Sequence, residues 1–181
     1  MKKALIIFGV VIVLIIAAIM YLTISTKSHS PLATALYKTD NATIEVVYCR
    51  PYKNGREIFG ALAPYGKVWR TGANEATTFA TTKDLTIQDK VLPAGKYSLW
   101  TIPNENSWEI IFNTEYGQWG VDPLAGGANR DAENDQLTVT VPSYTGTKVI
   151  EQFTITFDKM DEHIEMILMW DNTTVVVPFF L

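Results

Sequence analysis

Cysteine and histidine are almost missing from this 181-residue chain, which has one cysteine (Cys49) and two histidines (His29 and His163). A single cysteine excludes an intrachain disulfide. Three such side chains, scattered along the sequence, leave zinc and other transition metals without a ligand set. A thiol nucleophile needs a histidine beside it, so Cys49 reads as a small buried hydrophobe at a strand end. Basic charge is also short. With Lys2, Lys3 and the apolar run that follows set aside, residues 23–181 carry 13 basic and 19 acidic side chains. That balance excludes nucleic acid as a partner, since it demands a basic surface, and argues against electrostatic adhesion to anionic lipid. There is no G-x-S-x-G elbow for a hydrolytic serine. Gly126-Gly127 opens no helix that could cradle a phosphate. No cofactor is implied. Beyond the first 30 residues there is no sustained 3.6-residue apolar period, which removes the helical fold classes.

The N-terminus has the opposite character. Met1-Lys2-Lys3 precedes 19 uncharged residues, Ala4 to Leu22, about 28 Å of helix at roughly 1.5 Å per residue and enough to cross a hydrocarbon core of roughly 30 Å. The run is longer than the core of a cleaved signal peptide, and no A-x-A site follows it. The expectation is an uncleaved single-pass anchor in the cytoplasmic membrane, residues 1–22. Its basic end faces the cytoplasm and the C-terminal domain lies outside. The polar stretch 23–30 reads as a tether, and a single domain follows over 31–181.

That domain alternates apolar and polar residues with turn signals every 8 to 14 residues, the mark of short antiparallel strands. Ile44, Val46 and Tyr48 share one face of a strand; so do Tyr97, Leu99 and Thr101, and later Trp108, Ile110 and Phe112. Phe153, Ile155 and Phe157 repeat the pattern, as do Ile164, Met166, Leu168 and Trp170. Turns are expected at Pro103–Asn106, Pro142–Gly146 and Asp171-Asn172, and a single helical turn is possible at Gly60–Tyr65. The predicted fold is an all-β antiparallel two-sheet sandwich, with a β-barrel as runner-up. Gly117–Gln136 breaks the alternation for 20 residues, long enough to suspect a functional loop.

Three of the four arginines (Arg50, Arg56, Arg70) fall between residues 50 and 78, among Gly55, Gly60, Gly66, Gly72, Pro51 and Pro64. Arginine holds carboxylates, phosphates and carbonyls in fixed planar geometry. The segment therefore reads as tight turns that present fixed polar groups. In one reading Arg50, Arg56, Trp69, Arg70, Asn74 and Glu75 surround a pocket for an anionic or sugar-like ligand, with Trp119 as an exposed stacking platform. In the other, each arginine braces a turn carbonyl or a neighbouring acid.

The runs from Tyr48 to Gly60, Pro64 to Thr77 and Leu92 to Leu99, with Ile102-Pro103, Trp108 and Ile111 to Asn113, resemble a bacterial domain-of-unknown-function family. Its members are exported and often membrane-tethered or lipid-anchored. The resemblance spans roughly residues 31 to 178 and implies no named activity. Cys49 departs from it, standing where a small hydroxyl residue is expected.

Two further constellations are weaker. Asp131, Glu133 and Asp135, with Asp122 earlier in the loop, alternate like the start of a calcium loop. Its sixth and twelfth positions, however, hold Gln136 and Pro142 in place of glycine and glutamate. Glu75 is the candidate acid/base of a carbohydrate hydrolase, paired with Glu57 or Asp122. The favoured function is a non-enzymatic binding or envelope-assembly module whose partner is a carbohydrate, an anionic small molecule or an envelope protein. The alternative is a hydrolase of cell-envelope carbohydrate.

Overall fold

A computed structural model describes residues 2–181. Helix α1 spans Lys2–His29 and is followed by nine strands: β1 Leu32–Lys38, β2 Thr43–Cys49, β3 Thr77–Thr81, β4 Leu85–Ile87, β5 Lys90–Leu92, β6 Gly95–Pro103, β7 Ser107–Asn113, β8 Asp135–Lys159 and β9 Ile164–Phe179. The stretch expected as a tether is thus the last part of α1, which reaches His29. Its apolar side chains from Ile7 to Tyr21 stand exposed, as those of a membrane-crossing helix would.

The all-β antiparallel class is borne out. Seven strands form one sheet in the order β1-β2-β3-β6-β7-β8-β9, and β4-β5 form a small second sheet. The large sheet curls until its two halves face each other. β8 makes the corner: its first part pairs with β7, and the rest pairs with β9. Pro142–Gly146 and Asp171-Asn172 are therefore not loops. They lie inside two long strands, where register shifts between Thr145 and Ile150 and between Ile150 and Thr154 insert extra residues on the β8 side. Such bulges bend a strand and raise its twist. Turn-forming residues here bend strands without ending them, and Asp171 adopts φ 54° at the bend. Gly60–Tyr65 is a series of turns, with Gly60 N–H and Ala63 N–H bonded to Ala63 and Ile58 carbonyls, and not a helical turn.

The inner faces meet in one core, where Phe79 packs between Phe112 and Phe179. At the opposite end, Trp69, Trp108, Trp170, Phe59 and Phe153 form an aromatic cluster. Burial of such rings is the main stabilising contribution to a domain without disulfides. The gap between β2 and β8 is bridged by residues 50–53. Lys53 N–H donates to Glu151 O, and Phe153 N–H donates to Pro51 O. A second, smaller apolar cluster of Ala76, Trp100 and Ile111 lies on the outer face. It is partly covered from the 117–136 loop by Ala128.

Candidate functional site

The arginine-rich segment leaves β2, runs along the open end of the curled sheet and enters β3. Its most unusual portion is Thr71-Gly72-Ala73-Asn74. Thr71 (φ 53°), Gly72 (φ 153°) and Asn74 (φ 60°) all have positive φ. A β-branched residue in the left-handed region is a genuine outlier, and strain of this kind collects at functional sites. The surroundings hold it in place. Thr71 is fully buried, its hydroxyl lies 3.1 Å from that of Thr101, and its carbonyl accepts a 2.7 Å bond from Thr77 Oγ1. A β-carbon on Gly72 would lie 2.8 Å from the Cys49 carbonyl oxygen, so the backbone approach itself requires glycine.

The three arginines of the segment have different surroundings. Arg50 is a brace between β2 and β8: Nε donates to Phe153 O at 3.0 Å and Nη2 to Thr154 Oγ1 at 2.8 Å. Arg56 closes its own turn, donating from Nε to Lys53 O at 3.0 Å and from Nη2 to Tyr52 O. Arg70 differs, because its Nε is buried and has no hydrogen-bond partner. Burial pulls its pKa down from the ordinary arginine value, yet a guanidinium stays charged at any physiological pH. Asn74, only 7% exposed, buries an amide nitrogen that has no oxygen acceptor and turns to the Cys49 sulfur.

Arg70 and Asn74 both line a cleft of about 430 Å³, together with Arg56, Trp69, Gly72 and Trp170. One wall comes from the last turns of α1, through Ser25, Thr26 and His29, and from Ser30 just after it. The cleft is polar at its rim, and both of these groups on its lining are donors. It suits an anion. On the far side of Arg70, the 117–136 loop packs closely. Gly120 N–H donates to Asn74 O and Ala76 N–H to Gln118 O.

The structure thus gathers Arg56, Trp69, Arg70 and Asn74 into one cleft, and Arg50 and Trp119 line neither it nor its neighbour. Trp69 is not an open stacking platform. It is 8% exposed, stacks on Trp170 at 5.8 Å and donates its indole N–H to Gly72 O. Trp119 is exposed as expected, but its backbone is bridged to Glu75 and its ring stands away from the cleft lining. Glu75 lines an adjacent apolar cleft of about 260 Å³ with Leu32, Val47, Tyr48 and Cys49.

There Glu75 pairs with Lys27 of α1 at 2.6 Å and accepts from the Cys49 thiol at 3.7 Å. Burial pushes the Glu75 carboxyl up, but the Lys27 hydrogen bond and charge outweigh it, helped by its own backbone N–H and the Cys49 thiol; the net shift is downward. A carboxyl held ionised is a poor proton donor, and Glu57 lines a different cleft, with Tyr65 and Asp171. Cys49 is buried at the end of β2, and burial pushes its thiol up and away from the reactive thiolate.

The loop acids serve local structure. Asp122 Oδ1 accepts from Leu124 and Ala125 N–H, which lowers its pKa. Asp131 caps a short 3₁₀ turn at Ala132–Asn134. Asp135 pairs with Arg130 and accepts from Asn113 at 2.8 Å, while Glu133 points to solvent. The predicted calcium constellation therefore does not converge. No group of three or more His, Cys, Asp or Glu side chains that could hold a metal occurs among the described residues.

Sequence reasoning missed the contribution of α1. Ser25, Lys27, His29 and Ser30 looked like tether residues, and nothing in their composition ties them to the cleft residues between Pro51 and Asn74. Gly120 was also missed, although a lone glycine after Trp119 in a loop is a recognisable sign of close approach.

Fold and site together define a β-rich domain that carries one N-terminal apolar helix and an arginine-containing cleft at the junction of the two. Residues 30–179 match the family described as "Protein of unknown function (DUF2911)", and the chain belongs to it. Comparisons with curated proteins and with solved structures give no match.

Proposed function

We propose that this protein is a membrane-anchored, extracytoplasmic binding module whose ligand is anionic and seats against Arg70 and Asn74. One observation carries the reading: Arg70 Nε is buried in the wall of an open cleft without an acceptor, and Asn74 Nδ2 in the same wall has no oxygen acceptor. A buried donor left unpaired costs about 1–3 kcal/mol, and more when it is charged. Native folds seldom tolerate such groups without a reason. Both groups also sit on or beside the strained turn at Thr71–Asn74. Arg70 lines the cleft, where an anionic ligand would meet its charge, and the Arg56 side chain in the same lining adds a second positive charge. Lys2 and Lys3 before the apolar run favour a cytoplasmic N-terminus.

The test is calorimetric titration of the full chain in a neutral detergent. Inorganic phosphate, sn-glycerol 1-phosphate and galacturonate are the probes, each at millimolar concentration. At least one is expected to bind the wild type and to lose that binding in Arg70→Met. Failure of all three, with the protein folded, counts against an anion site. The intact mass of the membrane-purified protein tests the anchor: a chain of 20.3 kDa retains α1.

A further inference from the structure

Resting on that reading, we infer that the anion is the phosphate of a membrane phospholipid, taken from the leaflet into which α1 is inserted. The first argument is height. The unbroken apolar run ends at Leu22, uncharged residues carry on to Thr26, and α1 continues as helix to His29. Ser25 and His29, three and seven residues beyond Leu22, wall the cleft, about 5–10 Å along the axis at roughly 1.5 Å per residue. The polar headgroup layer on each side of a bilayer is about 5–8 Å deep. Because α1 itself forms the wall, the cleft is fixed at headgroup level whenever the helix spans the membrane.

The second argument is chemistry. Arg70 and Arg56 line the cleft beside the Asn74 amide. Arg56 spends Nε and Nη2 on its own turn and contributes mainly charge, while the Arg70 guanidinium suits the tetrahedral, multiply accepting oxygens of a phosphate. The site does not depend on bulk charge, since residues 23–181 are net acidic. This is recognition at one place, not adhesion of a basic face.

The third argument is what lies next door. Across the Lys27–Glu75 ion pair, the same stretch of α1 borders the apolar cleft of about 260 Å³ lined by Leu32, Val47, Tyr48 and Ala76. Leu32 is 69% exposed. A ligand with an anionic head and apolar tails is thus offered a polar and an apolar surface within one turn of the helix that enters the bilayer.

Native mass spectrometry of the full chain, released from neutral detergent, tests the inference. The probes are phosphatidylglycerol, phosphatidylcholine and soluble sn-glycerol 1-phosphate, against wild type, Arg70→Met, Arg70→Lys and the exposed-site control Lys148→Met. Phosphatidylglycerol is expected to bind at least about tenfold tighter than the other two probes. Arg70→Met is expected to weaken it about ten- to hundredfold. Arg70→Lys should restore little, and Lys148→Met should match wild type. Equal binding of glycerol phosphate and lipid, both lost in Arg70→Met, would overturn the lipid source and leave the anion site standing. Lipid binding unchanged in Arg70→Met would place the lipid elsewhere and overturn the inference. Binding of none of the probes would overturn the inference and the anion site together.

Discussion

Arg70 lies directly across Gly120. A β-carbon built on residue 120 would come within 2.0 Å of Arg70 Cδ and 2.7 Å of Arg70 Cβ. The clash reaches the root of the side chain, so it cannot be relieved by swinging the guanidinium aside. Gly120→Ala is expected to push Arg70 out of its place and to cost about 1–3 kcal/mol of stability, as overpacking does. Denaturant unfolding measures the stability. Calorimetry with the same variant should show anion affinity falling in parallel.

The arginines of the segment should separate in unfolding experiments. Arg50→Met leaves Phe153 O and Thr154 Oγ1 without their donor and should lose about 1–3 kcal/mol. Arg70→Met removes a half-buried charge whose Nε has no acceptor, so it should be neutral or stabilising. A large loss in Arg70→Met would mean the residue holds the fold together.

The Tyr48 hydroxyl stands in for a missing strand neighbour. It donates to Ile155 O at 3.2 Å and accepts from Ile155 N–H at 2.8 Å. Tyr48→Phe keeps the edge-on packing against Phe153 but strands both backbone groups in the interior. We expect a loss of about 1–3 kcal/mol, read as a lower urea midpoint with an unchanged slope.

Acid should loosen the end of α1. Glu75 has a lowered folded-state pKa, so its contribution is present above the unfolded carboxyl value of about 4.3 and is lost as the pH falls through the lower folded value. Amide exchange at residues 27–30 should therefore speed up below about pH 4 by more than intrinsic chemistry predicts. In Glu75→Gln that extra acceleration should be gone, because exchange there is already fast at neutral pH.

Much of the architecture could be read from period-two alternation. The faces carrying Ile44, Val46 and Tyr48, or Ile164, Met166 and Leu168, point inward because each strand buries one side. Pro142–Gly146 and Asp171-Asn172 misled for a definite reason. Turn-forming residues also make bulges, and only the pairing of β8 with β9 distinguishes a strand that ends from one that bends. Trp69 misled in a similar way: an aromatic beside an arginine suits a stacking site, but here a neighbouring aromatic cluster takes up the ring. The loop acids look like ligands in sequence, whereas short-range backbone bonds use Asp122 and Asp131.

What the sequence by itself determined is therefore the class of the molecule: an apolar N-terminal helix, an antiparallel β domain with no disulfide or transition-metal site to rely on, and a concentration of arginine at one place. Those properties follow from composition and from local periodicity, which depend on near neighbours. Which arginine is a brace and which is left without a partner was decided only by tertiary structure. Arg50 meets the backbone of Phe153, about a hundred residues away, while Arg70 meets Gly120 and an open cleft. The partners of a side chain are set by which distant strands the curled sheet brings together, and no local pattern encodes that.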